Sequence, residues 1–149
     1  TGGALRNFAP YFKEKEAFFL IYGDVLAEVD YHDVARFYYE HRNDIGLMVL
    51  TTVKHPELWG VATLQGDQVV AFAEKPRVKE ARSHLISAGI FLLTPEIFSF
   101  IGKEHPVSLE KEVLSKVISR HSLSGYVLQG KWYDISTPLI YAQVLKEWK

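Results

Sequence analysis

The chain has 149 residues, 48% hydrophobic and 23% charged, with a formal net charge of −1. That balance fits one globular domain with a sizeable core, and the lack of any basic block argues against a polymeric nucleic-acid partner. Cysteine is absent, no apolar run reaches bilayer length, and no signal-peptide pattern shows; this excludes a disulfide framework and a helical membrane span, and a cytoplasmic location is compatible.

Thr1-Gly2-Gly3-Ala4-Leu5-Arg6 reads as a loop entering a short helix that runs to about Glu16. Adjacent glycines let backbone amides approach a ligand, although a Gly-Gly pair is more often a plain flexible end. The chain opens at Thr1, its single methionine is Met48, and no strand precedes the opening. A fragment cut at its front end is expected.

Phe18-Phe19-Leu20-Ile21-Tyr22 runs into Gly23-Asp24. A continuous apolar run predicts a strand, Ala17–Tyr22, buried on both faces at the centre of the sheet. Asp24 then sits at its carboxyl end, where open α/β sheets bind ligands and where a carboxylate can hold Mg²⁺ beside a phosphate. The residues alone leave a second reading open, with Asp24 as the cap of a turn.

Asp30 predicts a helix start, with Val34, Phe37 and Tyr38 facing the sheet and Arg42-Asn43-Asp44 ending it. Ile45–Val53 predicts a second buried strand. Trp59–Leu64 and Val69–Ala73 flank Gln65-Gly66-Asp67 as a hairpin, which makes the sheet mixed. The hairpin leads into Glu74-Lys75-Pro76. Proline biases Lys75 towards an extended backbone, so Glu74 and Lys75 are expected on opposite faces.

Arg77–Leu85 reads as a loop or short helix and Ile86–Leu93 as a third buried strand. The small residues Ser87, Ala88 and Gly89 leave room for a ligand or for close packing. Thr94-Pro95, Ser108 and Thr137-Pro138 each open a helix. Ile97, Phe98 and Ile101 form the first buried stripe, and Leu109, Val113, Leu114, Val117 and Ile118 the second. Leu139, Ile140, Val144, Leu145 and Trp148 supply the last. Tyr126–Leu128 predicts a short strand, and Gly130 separates it from Lys131–Ile135. The histidines lack zinc-ligand spacing and read as surface or capping residues.

Five stretches in this order carry a resemblance: Thr1-Gly2-Gly3-Ala4-Leu5, Tyr22-Gly23-Asp24-Val25-Leu26, Phe72-Ala73-Glu74-Lys75-Pro76, Ser87-Ala88-Gly89-Ile90-Phe91 and Gly130-Lys131-Trp132-Tyr133-Asp134-Ile135-Ser136-Thr137-Pro138. Together they resemble the sugar-1-phosphate nucleotidyltransferases, a family of thymidylyl- and guanylyltransferases, over essentially the whole chain. The resemblance implies a Rossmann-like three-layer α/β/α fold with a mixed central sheet, here an N-terminally truncated, partial nucleotidyltransferase domain spanning 1–149. It implies a reaction in which a nucleoside triphosphate and a sugar 1-phosphate give a nucleoside-diphosphate sugar and pyrophosphate. It also implies roles. Asp24 and Asp134 resemble the Mg²⁺ ligands, Lys75 the cation at the sugar phosphate, and Glu74 the acceptor for sugar hydroxyls. Gly60 and Ser87 fall at sugar-contacting positions, and Thr1, Gly2 and Gly3 at the loop that meets the nucleobase.

The chain departs from the family in three places. Nothing matches the glycine-rich Gly-Gly-x-Gly-Thr-Arg loop that cradles the triphosphate. Ser87 stands where the family has asparagine, with a shorter reach and fewer donors. Ser136 stands where the family has glycine, which questions any backbone there that needs glycine. The expectation is therefore a chain inactive by itself, with self-association a risk where a missing strand leaves edges open. The alternative is a non-catalytic sugar-nucleotide-binding or regulatory module. A metal-dependent glycosyltransferase is disfavoured because Asp24-Val25-Leu26 offers no Asp-x-Asp pair. A phospho-receiver domain is disfavoured because the first acidic pair is lacking.

Overall fold

The computed structural model describes residues 2–12, 17–40, 45–102 and 106–148. In chain order its regular elements are α1 (Gly2–Asn7), α2 (Ala9–Phe12), β1 (Phe18–Ile21), β2 (Val25–Ala27), α3 (Tyr31–Glu40), β3 (Gly46–Thr52), β4 (Gly60–Gln65), β5 (Gln68–Glu74), β6 (Leu85–Leu93), α4 (Ser115–Ser119), β7 (Leu123–Val127), β8 (Trp132–Asp134) and α5 (Pro138–Glu147). Short 3₁₀ turns cover Pro56–Leu58, Val78–Glu80 and Pro95–Phe100, and a π-helical turn covers Leu109–Leu114. The expected helix end near Glu16 and the expected stop at Arg42–Asp44 lie outside the described residues.

The main sheet is ordered β1-β6-β3-β7-β5-β4, and β2 and β8 form a separate two-stranded sheet. The main sheet is mixed: β3 runs parallel to β7 and antiparallel to β6. Side chains alternate across a strand, and here both faces are covered. Met48, Leu50, Phe91 and Leu93 pack on one side with Leu5, Ile97, Leu109, Val113 and Val117 from the short helices. Leu47, Val49, Ala88, Ile90 and Leu92 pack on the other with Val34 and Tyr38 of α3. Burial of each such side chain stabilises by ~1.5–3 kcal/mol, so the two-sided apolar pattern of β3 and β6 fixes the three-layer arrangement.

The local punctuation operates as its chemistry requires. Asp30 Oδ1 accepts the amide N–H groups of His32 and Asp33 at 2.9 and 3.1 Å, capping α3. Ser108 Oγ accepts from Lys111 N, and Thr137 Oγ1 from Ile140 N. Gly66 makes the β4–β5 turn with a left-handed φ of 59°. Thr94 differs: its hydroxyl donates to Ile45 O instead of capping the turn that follows.

Two expectations are corrected. β1 is an edge strand, paired with β6 alone among the described strands, with Phe19 36% and Ile21 45% exposed. An apolar run records hydrophobicity, not the number of neighbours the fold supplies. On α5 only Val144 of the expected stripe is buried, while Leu139 is 81% and Leu145 64% exposed. That helix touches the rest mainly through β8.

Candidate active site

A cavity of about 170 Å³ opens where the small sheet meets the edge of the large one, lined by six separate stretches of chain. Asp24 and Asp134 both line it. Their meeting is the work of β2 and β8. The antiparallel register places Val25 opposite Asp134, and Ile135 N donates to Asp24 O at 2.8 Å. Tyr22 N donates to Gly89 O at 2.9 Å and ties this unit to β6.

Asp134 is held firmly. Its Oδ2 accepts from Trp59 Nε1 and its Oδ1 from Ser136 N, both at 3.0 Å. Burial pushes the carboxyl up, but these hydrogen bonds and the Lys75 charge outweigh it and leave it below the usual carboxylate range. Ser136 keeps a negative φ, so serine replaces glycine here without a left-handed backbone.

Glu74 and Lys75 both line the cavity, against the expectation of opposite faces. β5 ends at Glu74, and Lys75 adopts a left-handed φ of 47° in place of the extended conformation that Pro76 suggested. The amide of Lys75 donates to Trp59 O at 3.0 Å. That bond to the residue just before β4 overrides the local preference, and Lys75 lines the cavity together with Glu74. Non-glycine residues in this region are uncommon and cluster at functional sites.

A Cβ at Gly60 would lie 2.2 Å from Phe72 Cζ and 2.9 Å from Glu74 Oε2, so any side chain there displaces one or both of them. Gly89 has a φ of 70°, and its Cβ would lie 2.9 Å from Val25 Cγ2. Its role is therefore close packing under the Tyr22–Val25 loop. Ser87 lines the cavity, and its Oγ accepts from Gly89 N at 3.3 Å. Gly2 and Gly3 are not brought to this cavity. They belong to α1, where Gly3 N donates to Val107 O. Thr1 lies outside the described residues.

Seven lining residues were given no role from sequence, Tyr22, Trp59, Glu110 and Trp132 among them. Trp59 and Trp132 meet edge to face, with ring centroids 5.7 Å apart, and Trp132 Nε1 donates to Ala88 O. Glu110, on the π-helical turn, accepts hydrogen bonds from the hydroxyls of Tyr22 and Ser108. Only the aromatic richness of Tyr22, Trp59 and Trp132 beside the motifs offered a signal; Glu110 looked like one charge on an amphipathic helix. Burial, then the Glu110 carboxylate, pushes the Glu74 carboxyl up, against the opposing pull of Lys75 and Lys111.

The donor chemistry fits a hard divalent cation: two carboxylates, Asp24 and Asp134, line the cavity, and Asp134 is kept ionised. No group of three or more His, Cys, Asp or Glu side chains gathers for a metal among the described residues. A cation held by Asp24 and Asp134 would thus complete its shell with phosphate oxygens and water, as Mg²⁺ habitually does. Chemically, the cavity offers acceptors for hydroxyl groups, one ammonium for a phosphate, and aromatic walls.

Comparison with known proteins identifies the family and the fold. The nucleotidyl transferase family matches residues 1–148. Mannose-1-phosphate guanylyltransferase 1 of Arabidopsis thaliana is 33% identical over 133 residues, covering 88% of this chain and 36% of the relative. The catalytic subunit beta of mannose-1-phosphate guanylyltransferase from Danio rerio is 32% identical over 126 residues, covering 83% and 34%. The chain thus spans about a third of the length of these curated relatives. Among solved structures, a UDP-glucose pyrophosphorylase complexed with UDP-glucose superposes with a TM-score of 0.80 at 21% identity, covering 99% of this chain and 61% of that one. One from Acinetobacter baumannii gives 0.81 at 16%, covering 99% and 55%. At these identities the solved structures speak for the Rossmann-like fold alone.

Proposed function

Because the chain belongs to the nucleotidyl transferase family, we propose that it forms the sugar-phosphate and metal half of a site that makes a nucleoside-diphosphate sugar from a nucleoside triphosphate and a sugar 1-phosphate, releasing pyrophosphate. One observation carries this reading: Asp24, Gly60, Glu74, Lys75, Ser87 and Asp134 line a single cavity. In-line attack of a sugar-phosphate oxygen on an α-phosphorus asks the protein for positioning and for neutralisation of charge, not for covalent chemistry.

Asp24 and Asp134 would hold Mg²⁺, which when bound offsets the charge of the two reacting phosphates. Trp59 and Ser136 keep Asp134 ionised and aimed. Lys75 places a point charge at the acceptor phosphate. Glu74, lying over the bare backbone of Gly60, accepts sugar hydroxyls. Thr1, Gly2 and Gly3 are proposed to meet the nucleobase, Gly2 and Gly3 from α1, outside this cavity. As in its guanylyltransferase relatives, mannose 1-phosphate is the first sugar to try.

Turnover by these 149 residues is not expected. The sequence contains no glycine-rich loop to grip a triphosphate. Binding without transfer is the second reading. A site in the cytoplasm and self-association along the open β1 edge complete the proposal. Calorimetry with mannose 1-phosphate and Mg²⁺, run beside pyrophosphate release with GTP, tests both parts. Mg²⁺-dependent binding without turnover is expected. Absence of binding would overturn the site, and sustained pyrophosphate release would overturn the claim of inactivity.

A further inference from the structure

A cavity of about 390 Å³ opens between α4 and the 3₁₀ turn Pro95–Phe100, and it shares no lining residue with the candidate active site. Ser99, Phe100 and Gly102 line it from one segment, Lys116, Ser119 and Arg120 from the other, and no carboxylate lines it among the described residues. Lys116 and Arg120 are four residues apart, which puts them on one face of the helix. The Arg120 guanidinium carbon lies 4.7 Å from the Phe100 ring centroid, a cation–π contact that holds it in place and leaves its N–H donors unspent. Another cation, Arg6 of α1, donates to Gly102 O. Basic residues near a helix end often do no more than cap carbonyls. Backbone amides already perform that task here: Arg120 N and Ser122 N donate to Val117 O, and His121 N donates to Ile118 O. Lys116 spends one of its three donors on Phe100 O, at 3.4 Å. Neither Lys116 nor Arg120 has a carboxylate partner among the described residues.

We propose that this cavity is an anion site separate from the active site, taking the dianionic phosphate group of a small molecule, with Arg120 as a forked donor and Lys116 as a point charge. A guanidinium meets two phosphate oxygens at once, and an ammonium adds charge without a fixed direction. The hydroxyls of Ser99 and Ser119 donate to Glu96 O and Lys116 O, and as rotors they can turn to a phosphate oxygen instead. The inference stands apart from the reading of the active site, where the lining cation is Lys75.

The test is an amide-resolved NMR titration of the full chain at low salt. The probes are inorganic phosphate and glycerol 3-phosphate, with sodium chloride at matched ionic strength as the control. The amides of Gly102, Ser119 and Arg120 should shift and saturate with a probe and not with chloride. The tighter probe tells free phosphate from a phosphate ester. Lys116→Met and Arg120→Met remove each charge and keep a long side chain against Phe100. Urea midpoints check the fold, and Lys116→Met carries the test by itself if Arg120→Met lowers its midpoint. Each variant should weaken the probe at these amides roughly 2- to 5-fold, as for an exposed charge contact, and the double variant should abolish saturation. Lys75→Met should leave the same amides unchanged. Absence of saturation in the parent, equal shifts with chloride, or affinity unchanged in Lys116→Met overturns the site.

Discussion

Lys75→Gly separates the two jobs of the most strained residue at the site. Lys75 sits at a φ of 47°, with its amide bonded to Trp59 O. A left-handed conformation costs a non-glycine residue ~1–2 kcal/mol. Glycine removes that cost but adds ~0.5–1 kcal/mol of chain entropy lost on folding. The difference is a net gain of ~0.5–1 kcal/mol, equivalent to a rise in Tm of roughly 1–4 °C for a chain of this size. Binding moves the other way. Loss of the ammonium removes a charge-assisted contact to phosphate worth ~1.5–3 kcal/mol, or roughly 10- to 150-fold in affinity. Lys75→Ala is the control, since it loses the ammonium but keeps a Cβ at positive φ. Calorimetry with mannose 1-phosphate should show both variants weakened alike, and thermal melts should show only the glycine variant stabilised. Equal melting of the two variants, or a glycine variant that binds as the parent does, would refute the idea that strain is held here to aim the cation.

Gly89→Ala should destabilise by ~2–4 kcal/mol, the sum of left-handed backbone cost and overpacking against Val25 and Tyr22. Urea unfolding measures it, and a loss under ~0.5 kcal/mol would show that the Tyr22–Val25 loop yields easily. Tyr126 donates to Asp33 Oδ2 at 2.5 Å, and that hydrogen bond, then burial, pushes its phenol up to about 12 from 10.0. A raised pKa stabilises the protonated form in the fold, so this contribution is complete below pH 10.0 and fades as pH rises towards 12. Tyr126→Phe should lower stability at pH 8 and flatten its decline between those two values; a parallel decline in both proteins would exclude the bond as its source.

Sequence by itself determined what near neighbours along the chain can determine. β3 and β6 were legible because continuous apolar runs bounded by turn residues have few other stable outcomes. Asp30, Ser108 and Thr137 were legible as caps because a cap bonds amides two or three residues away. Asp24, Glu74, Lys75 and Asp134 were legible through ordered motifs, which name residues but not their geometry. Tertiary structure alone decided the rest, since it depends on partners far away in the chain. Whether β1 is central or at an edge depends on which strands exist to flank it. The backbone of Lys75 answers to Trp59, at the entry to β4, rather than to Pro76 beside it. Glu110 enters the site through Tyr22, and Asp134 is fixed by an indole 75 residues away. Local preferences amount to fractions of a kcal/mol, and a long-range hydrogen bond or a packed face outweighs them.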